Sequence, residues 1–502
     1  MRLVGTWVQI LSAMCPFLMV GWASAAPGRP GVLTGSRPNI VIVMTDDQGY
    51  GELGCHGNPV LRTPNLDRLH AQSLRFTAFH VSPTCSPTRA ALLTGRHEFR
   101  SGVTHTILER ERLSLDAVTL ADVLRGAGYA TGIFGKWHLG DETEYLPDRR
   151  GFGTVFIHGG GGIGQSYPGS CGDVPGNRYH DPIVWQDGHL EQTRGYCTDV
   201  FMDRAIHWIR GQRAAGRPFL AYITPNAPHA PHVVPSEDWV APYRELGLPE
   251  ALAAYYAMIG HFDAALGRLL GALDERDQAS DTLVVFLTDN GHSVAEGFNA
   301  GMRGTKGTPY EGGTRVPCFW RWPGRVPAGV DCAALTAHLD VFPTLAALAG
   351  ADPGPWVRQI EGRSLVPLLE DPSAPWPDRL LVTHVGRWDS GEAEASRFRS
   401  CAIRDARFKL VDGMELYDLA NDPAEREDVS GRHPDVVDRL RVAYGVWWDS
   451  VLPSTRVNEW ALGPYLNPFA VRWWNQSGQA RAGAQVARMD PSLKFVRPRP
   501  RF

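Results

Sequence analysis

Cysteine is scarce, eight residues in 502, too few to serve as the stabilising framework of a chain this long. Apart from Cys15 and Cys85 they are Cys55, Cys171, Cys197, Cys318, Cys332 and Cys401. Cys171 with Cys197 and Cys318 with Cys332 are neighbours in sequence, but six cysteines admit many pairings and connectivity stays open. A surplus of positive charge is missing too. Fifty Lys and Arg stand against 54 Asp and Glu, a net charge of -4, which argues against the clustered basic surface that nucleic acid requires. An anionic ligand must therefore be drawn by a local positive pocket. No internal repeat occurs, which excludes repeat architectures, and after Trp22 no run is long and apolar enough to span a bilayer.

What is present begins with a secretory pattern. Arg2 supplies a basic start, Leu3 to Trp22 an apolar stretch, and Ala23-Ser24-Ala25 a small-x-small cleavage site before Pro27 and Gly28. A membrane anchor is the other reading. Thr6, Gln9, Ser12 and Pro16 interrupt the stretch and favour a cleaved signal, and Ser12, three positions before Cys15, argues against a lipoprotein signal. We expect a signal peptide over 1–25, a linker over 26–37, export to the periplasm or beyond the cell, and no stable membrane span. The remainder is ordinary globular composition, 43% hydrophobic and 21% charged, and long enough for about two to four domain-sized units.

Three continuous apolar runs read as strands buried on both faces: Pro38 to Met44, Phe219 to Ile223 and Thr282 to Leu287. Each ends in a polar cluster, respectively Asp46-Asp47, Asn226 to His229 and Asp289-Asn290. Helical patterns lie between, at Thr119 to Ala127, Asp199 to Arg210 and Leu252 to Ala272. Strands alternating with helices predict an α/β fold with a large, mostly parallel central sheet flanked by helices. Ligands of such sheets bind beyond the carboxyl ends of the strands. Asp371 to Asp378 reads as a linker. After it, strand-like pieces at Leu380 to Thr383, Arg407 to Val411 and Glu415 to Leu419, with a helix from Asp435 to Val451, predict a smaller C-terminal α+β domain on an antiparallel sheet. The expected units are 38–375, 376–452 and an irregular, Trp- and Arg-rich tail over 453–502.

Asp46, Asp47, Asp289 and Asn290 supply three carboxylates and one amide oxygen, the donors that a hard divalent cation takes. An Asp pair after a strand is more often a turn or cap; two such clusters around one further motif are not. That motif is Cys85-Ser86-Pro87-Thr88-Arg89, closed by Leu93-Thr94-Gly95-Arg96. It resembles the signature of the type I sulfatases of the alkaline phosphatase superfamily, in which a Cys-x-Pro-x-Arg core marks the cysteine for oxidation to formylglycine. Gly135-Lys136-Trp137-His138-Leu139-Gly140, Ala227-Pro228-His229-Ala230-Pro231, Thr305-Lys306-Gly307 onward and Glu415 to Glu425 are similar to further runs of that family, in family order.

The resemblance implies a hydrolase of organic sulfate monoesters, carbohydrate or aryl, with a maturation enzyme as partner. It implies one Ca²⁺, or Mg²⁺, held by Asp46, Asp47, Asp289, Asn290 and the modified Cys85. Arg89 would orient the modified side chain, and Lys136, His229 and Lys306 would bind the substrate. A hydrated aldehyde would attack sulfur to give a sulfo-enzyme, His229 or Lys306 would protonate the leaving alcohol, and His138 would act as base when the second hydroxyl expels sulfate. His292 is a further candidate. A phosphomonoester or phosphonate hydrolase of the same superfamily is the alternative, and a non-catalytic protein holding sulfated glycans another. His158 to Gly164 lacks the Lys-Ser/Thr of a nucleotide loop and reads as a mobile loop near the pocket. The stretch from His158 to Cys197 and the tail with Trp473 and Trp474 are expected to shape the leaving-group pocket.

Overall fold

The computed structural model describes residues 32–167, 170–458 and 467–478; the expected signal segment and residues 479–502 of the tail lie outside them. Ten strands form one sheet, in the order Val330–Cys332, Leu74–Phe76, Cys318–Arg321, Thr282–Thr288, Asn39–Thr45, Phe219–Thr224, Ala130–Lys136, Thr154–His158, Ile183–Gln186 and His189–Gln192. The five central strands, Thr282–Thr288 through Thr154–His158, are parallel; the outer strands on both sides include antiparallel pairs. The mostly parallel sheet expected from the apolar runs is therefore present, with antiparallel margins.

Alternate side chains of a strand point to opposite faces, and here both faces are covered. Ile40, Ile42 and Met44 enter one core with Leu92, Leu93, Leu124 and Phe342. Val41 and Val43 enter the other with Phe201, Met258 and Leu266. Helices Cys85–Thr94, Leu120–Gly126 and Val341–Leu348 thus cover one face, and Cys197–Ala214 and Glu250–Asp274 cover the other. Among the described residues no helix is long and apolar enough to cross a membrane.

A second sheet of four antiparallel strands, Leu381–His384, Cys401–Arg404, Phe408–Val411 and Glu415–Asp418, packs under helix Pro434–Thr455. It is fastened to the large sheet by buried ions. Glu311 receives Arg404 at 3.0 Å and Lys409 at 3.1 Å, and Lys409 also reaches Glu425 at 2.9 Å.

The cysteine connectivity left open by the sequence is now given, and two expectations are corrected. The seven cysteines within the described residues are all free thiols, so neither sequence-adjacent pair is bridged; Cys318 lies in a core strand and its Sγ accepts from Trp320 Nε1 at 3.2 Å. Within the tail, Pro468–Ser477 is a helix capped by Asn467, whose Oδ1 accepts from Phe469 and Ala470 N–H. It packs Phe469 and Trp473 onto the main core. The Gly-rich segment from His158 is not a mobile loop: it is buried up to Ile163. Asp173 accepts from Gly159 and Gly164 N–H and Asp141 from Gly160 and Gly172 N–H, all at 2.8–3.1 Å.

Burial pushes several carboxyls far above their usual range: Glu52 and Glu111 up to about 8, Glu98 and Asp141 to about 7. These groups keep their proton when folded and lose it when unfolded, so stability falls as pH rises from about 4.5 through those values. Glu311 acts in the opposite sense. Burial works to raise it, yet Lys409 and Arg404 hold it well below the carboxylate range, and its stabilisation is lost as pH falls through that range. Relative to the parent, Glu52→Gln or Glu111→Gln should therefore gain Tm as pH rises from about 5.5 to about 8.5, because the variant no longer holds a proton that the unfolded chain releases. A Tm difference from the parent that does not change with pH would refute it.

Candidate active site

Strand register assembles the site. Thr45 pairs with Thr288, so Asp46-Asp47 and Asp289-Asn290, more than two hundred residues apart in sequence, leave neighbouring strands side by side. Val43 pairs with Ile223, and Gly135 with Thr224, which brings the Asn226 to His229 turn and the Lys136 to His138 run to the same edge. Gly135 has φ +118°, and a Cβ there would stand 2.0 Å from Thr224 O; only glycine permits this approach of the two strand ends.

The carboxylates interlock. Asp47 N–H donates to Asp289 Oδ1 at 3.0 Å, and Asn290 Nδ2 donates to Asp47 Oδ1 at 2.9 Å. Asp47 itself has φ +66°, a left-handed conformation that Asp tolerates better than most residues. Tyr255 O–H fixes it by donating to Asp47 O at 2.7 Å. Arg89, fully buried, lies on Asp289 Oδ2 at 2.7 Å and 3.9 Å from Asp46, and donates to Lys136 O at 3.1 Å.

Cys85 is the first residue of helix Cys85–Thr94 and is 2% exposed. A helix amino terminus favours negative charge beside it. Its Sγ lies within 4.8 Å of donor atoms of Asp46, Asp47 and His229. Burial pushes its thiol up, against the lowering effect of Lys136 and Lys306.

Lysine is rare in this chain, four in all, and the three within the described residues each pair with buried carboxylates. Lys136 Nζ meets Asp46 Oδ2 at 2.7 Å and Lys306 Nζ meets Asp47 at 2.6 Å; Lys409 is the subdomain fastener. Burial works to raise Asp47, but Lys306, His229 and Lys136 together hold it below the usual range. Asp289 is pushed up to about 6 by burial and then by Asp46. His229 Nε2 stands 3.9 Å from Asp47 Oδ2 while Nδ1 meets Ala230 O at 2.6 Å. His138 Nε2 meets Thr106 O at 2.7 Å and its Nδ1 is buried without a partner.

The donor set fits a hard cation. Asp46 Oδ1 and Asn290 Oδ1 are buried oxygens with no hydrogen-bond partner, beside the interlocked Asp47 and Asp289. Such orphaned oxygens suit an oxygen-preferring ion such as Ca²⁺. Every candidate residue converges here except His292. Its ring packs with the Glu52 carboxylate against Gly297, and its Nδ1 meets Val294 O at 2.8 Å.

The sequence reading missed the supports. Gly161 and Gly162 line His138 and His229; a Cβ on Gly161 would be 2.8 Å from the His138 ring. Their loop hangs on Asp141 and Asp173, which the tail helix holds through Arg472 to Asp141 O and Asn467 to Asp173 O, each at 2.8 Å. The tail thus braces the pocket wall, with its Trp473 against the main core. Asn226, whose Nδ2 donates to Tyr179 O–H oxygen at 2.7 Å, could have been noticed from its position at a strand end.

Residues 38–351 match the Sulfatase family model, and residues 305–441 that of N-sulphoglucosamine sulphohydrolase, C-terminal. Arylsulfatase G of Mus musculus is 36% identical over 376 residues, spanning 66% of this chain and 69% of that protein. Arylsulfatase A of Homo sapiens is 33% identical over 462 residues, spanning 82% and 88%. The crystal structure of Ps i-CgsB in complex with k-i-k-neocarrahexaose superposes with a TM-score of 0.74 at 26% identity, over 90% of this chain and 100% of that one. Similarity of this extent, over a chain whose Cys85, acidic pairs and cations meet at one sheet edge, establishes that it belongs to the sulfatase family.

Proposed function

We propose that this sulfuric ester hydrolase acts on sulfated carbohydrates, as an exported, calcium-dependent enzyme with formylglycine at position 85. The observation that carries the reading is the convergence of Cys85, four oxygen-bearing metal candidates and the cations Arg89, Lys136 and Lys306 on one strand edge. Export rests on the amino-terminal signal pattern. Asp46, Asp47, Asp289, Asn290 and the side chain at 85 would hold the cation, which would acidify hydroxyls on position 85 and offset charge on the sulfate. Once oxidised and hydrated, position 85 would offer two hydroxyls on one carbon, one to attack sulfur and one to allow release of sulfate, which serine or cysteine cannot do.

The chain's own side chains divide the remaining work. Lys136 and Lys306 now neutralise Asp46 and Asp47; with a cation sharing those carboxylates, both ammoniums are available to sulfate oxygens. Arg89 keeps Asp289 ionised and in place. His138, donating from Nε2 to Thr106, presents the bare Nδ1 as a proton acceptor. Burial, and then Lys136, drives His229 down to about 3, so its imidazole is neutral before substrate arrives and an adjacent sulfate would raise it. Lys306 stays charged because Asp47 outweighs burial; Lys306, and His229 once an adjacent sulfate has raised it, are the two candidate donors to the leaving oxygen.

The carbohydrate reading is supported by the saccharide held in the solved relative and by the matched sulphoglucosamine sulphohydrolase region. A cleft of about 830 Å³ of mixed lining, with Gln165, Arg178, His180, Gln192 and Arg194 among its polar residues and Tyr179 and Val233 among its apolar ones, also runs beside Pro231. Sulfate release from a panel of sulfated sugars and aryl sulfates tests it: higher kcat/KM on saccharides is expected, and a consistent aryl preference would overturn it. Turnover of matched phosphate esters at equal or greater rate would restore the phosphohydrolase alternative, which the relatives do not favour.

Leaving-group dependence tests the acid. His229→Ala should lower kcat on a sugar sulfate by about 10²-fold or more and on an aryl sulfate by less than about 10-fold, since a phenolate needs little protonation. Equal losses would mean that His229 only positions sulfate. For the metal, Ca²⁺ added to chelator-treated protein should raise Tm, and Asp289→Ala should remove that rise.

A further inference from the structure

Away from the carboxylate cluster, Cys55, His56 and His70 form a second group of metal-ligating side chains. One donor atom from each lies within 4.8 Å of the others, and all three residues are half-buried. They border an open cleft of about 330 Å³ with Arg75, Phe319 and Asp331. We propose that this is a binding site for a borderline divalent transition metal, Zn²⁺ being the type, distinct from the calcium candidate.

The ligands are held in place by the fold. Cys55 N–H donates to Asp67 Oδ1 at 2.9 Å, and Thr63 Oγ1 donates to the same oxygen at 2.9 Å. Those bonds fix the thiol's short helical turn, Gly54–His56, against helix Pro64–Ala71, which carries His70 near its end. His56 Nδ1 meets Tyr50 O at 2.7 Å. A backbone carbonyl on one ring nitrogen sets the tautomer and leaves Nε2 bare, the arrangement found behind most metal-bound histidines. Arg75 donates to His70 Nδ1 over a long 3.4 Å; Arg75 keeps its bonds to Asp331 and to Gly329 O when that contact is given up, and His70 then ligates with its proton moved to the other ring nitrogen. The two rings stand edge to face at 5.7 Å, and both rest against Phe319. Tetrahedral zinc brings its ligand atoms to about 3.4–3.6 Å of one another, so small side-chain rotations close the site.

Thiolate and imidazole select zinc over calcium, whereas the oxygen donors at Asp46 and Asp47 select the reverse. On binding, the Cys55 thiol passes its proton to solvent as the sulfur–metal bond forms. Water or the second carboxylate oxygen of Asp331 completes four-coordination. The Arg75 charge beside the site is answered by Asp331 Oδ1 at 2.5 Å from Nε. The metal would staple the loop that follows Asp46-Asp47 to the neighbouring helix. Its role is therefore structural.

The test uses full-length protein and its Cys85→Ala variant, which removes the only thiol in the carboxylate cluster. After chelator treatment, each is titrated with Co²⁺ alone and followed by absorption. We expect one equivalent to produce a thiolate-to-cobalt charge-transfer band in both proteins, Zn²⁺ to displace it, and Zn²⁺ to raise Tm. Cys55→Ser and His70→Ala should each abolish the band, and Asp289→Ala should leave it. Absence of the band in the unsubstituted protein, or its survival in Cys55→Ser, would overturn the proposal. The outcome is independent of sulfatase turnover.

Discussion

Replacement of Cys85 by alanine is expected to lower kcat by about 10⁴-fold or more while leaving Tm within about 2 °C of the parent. Cys85 is as buried as a core residue, yet it belongs to neither main apolar core and its sulfur lies beside donor atoms of Asp46, Asp47 and His229. Removing its sulfur therefore forfeits little apolar contact. Cys318 supplies the control: it is 1% exposed, sits in a core strand, and its sulfur accepts from Trp320. Cys318→Ala should lower Tm and leave kcat alone. Cys85→Ser should be as inactive as Cys85→Ala, because a single hydroxyl has no partner on the same carbon to release the product. Calorimetry and sulfate release on the three variants decide the matter. Substantial turnover by Cys85→Ser would remove the need for the aldehyde.

Arg89→Met is expected to cost about 3–5 kcal/mol of stability in calcium-free buffer, the range for stripping one partner from a buried ion cluster. Arg89 has no exposure and holds Asp289, with Asp46 nearby. Asp289 is already pushed up to about 6 by burial and by Asp46, with Arg89 the leading opposing charge. Without Arg89 that carboxyl keeps its proton to still higher pH in the folded state. A raised folded pKa removes stability as pH increases, so the loss in Arg89→Met should be larger near about pH 8 than near about pH 6. Denaturant unfolding at the two pH values measures it, and a pH-independent loss would show that Arg89 acts by packing. Arg89→Lys should recover part of the stability, since an ammonium can meet Asp289 but cannot also span to Lys136 O.

Most of the site could be read before the fold was known because it is written in adjacent residues. An apolar strand running straight into Asp46-Asp47, and another into Asp289-Asn290, leaves few other uses for those carboxylates, and a parallel sheet brings strand ends together. Lys136, His138, His229 and Lys306 lie in short runs of the same kind. The braces were not legible. Asp141, Asp173, Thr106, Asn467 and Arg472 act through backbone groups far away in sequence, and nothing local distinguishes them from surface polar residues. The glycines from 159 onward suggested mobility, because sequence cannot show that buried carboxylates collect their N–H groups. The tail helix was hidden by its arginines and tryptophans, whose apolar surfaces find a partner only once the main core exists. His292 shows the converse error: it follows a metal pair in sequence, but the backbone turns its ring away towards Val294.

The rarity of lysine, and its confinement to ion pairs among the described residues, has a practical side. Amine-acylating dyes and amine-coupled surfaces need an accessible, uncharged primary amine. Lys136 and Lys409 have side-chain exposures of 0% and 2%, and Lys306 at 18% is held charged by Asp47. Such reagents will therefore find little to react with among the described residues. Inactivating acylation at a described residue would report on Lys306, turning a common labelling reaction into a footprint of the occupied site.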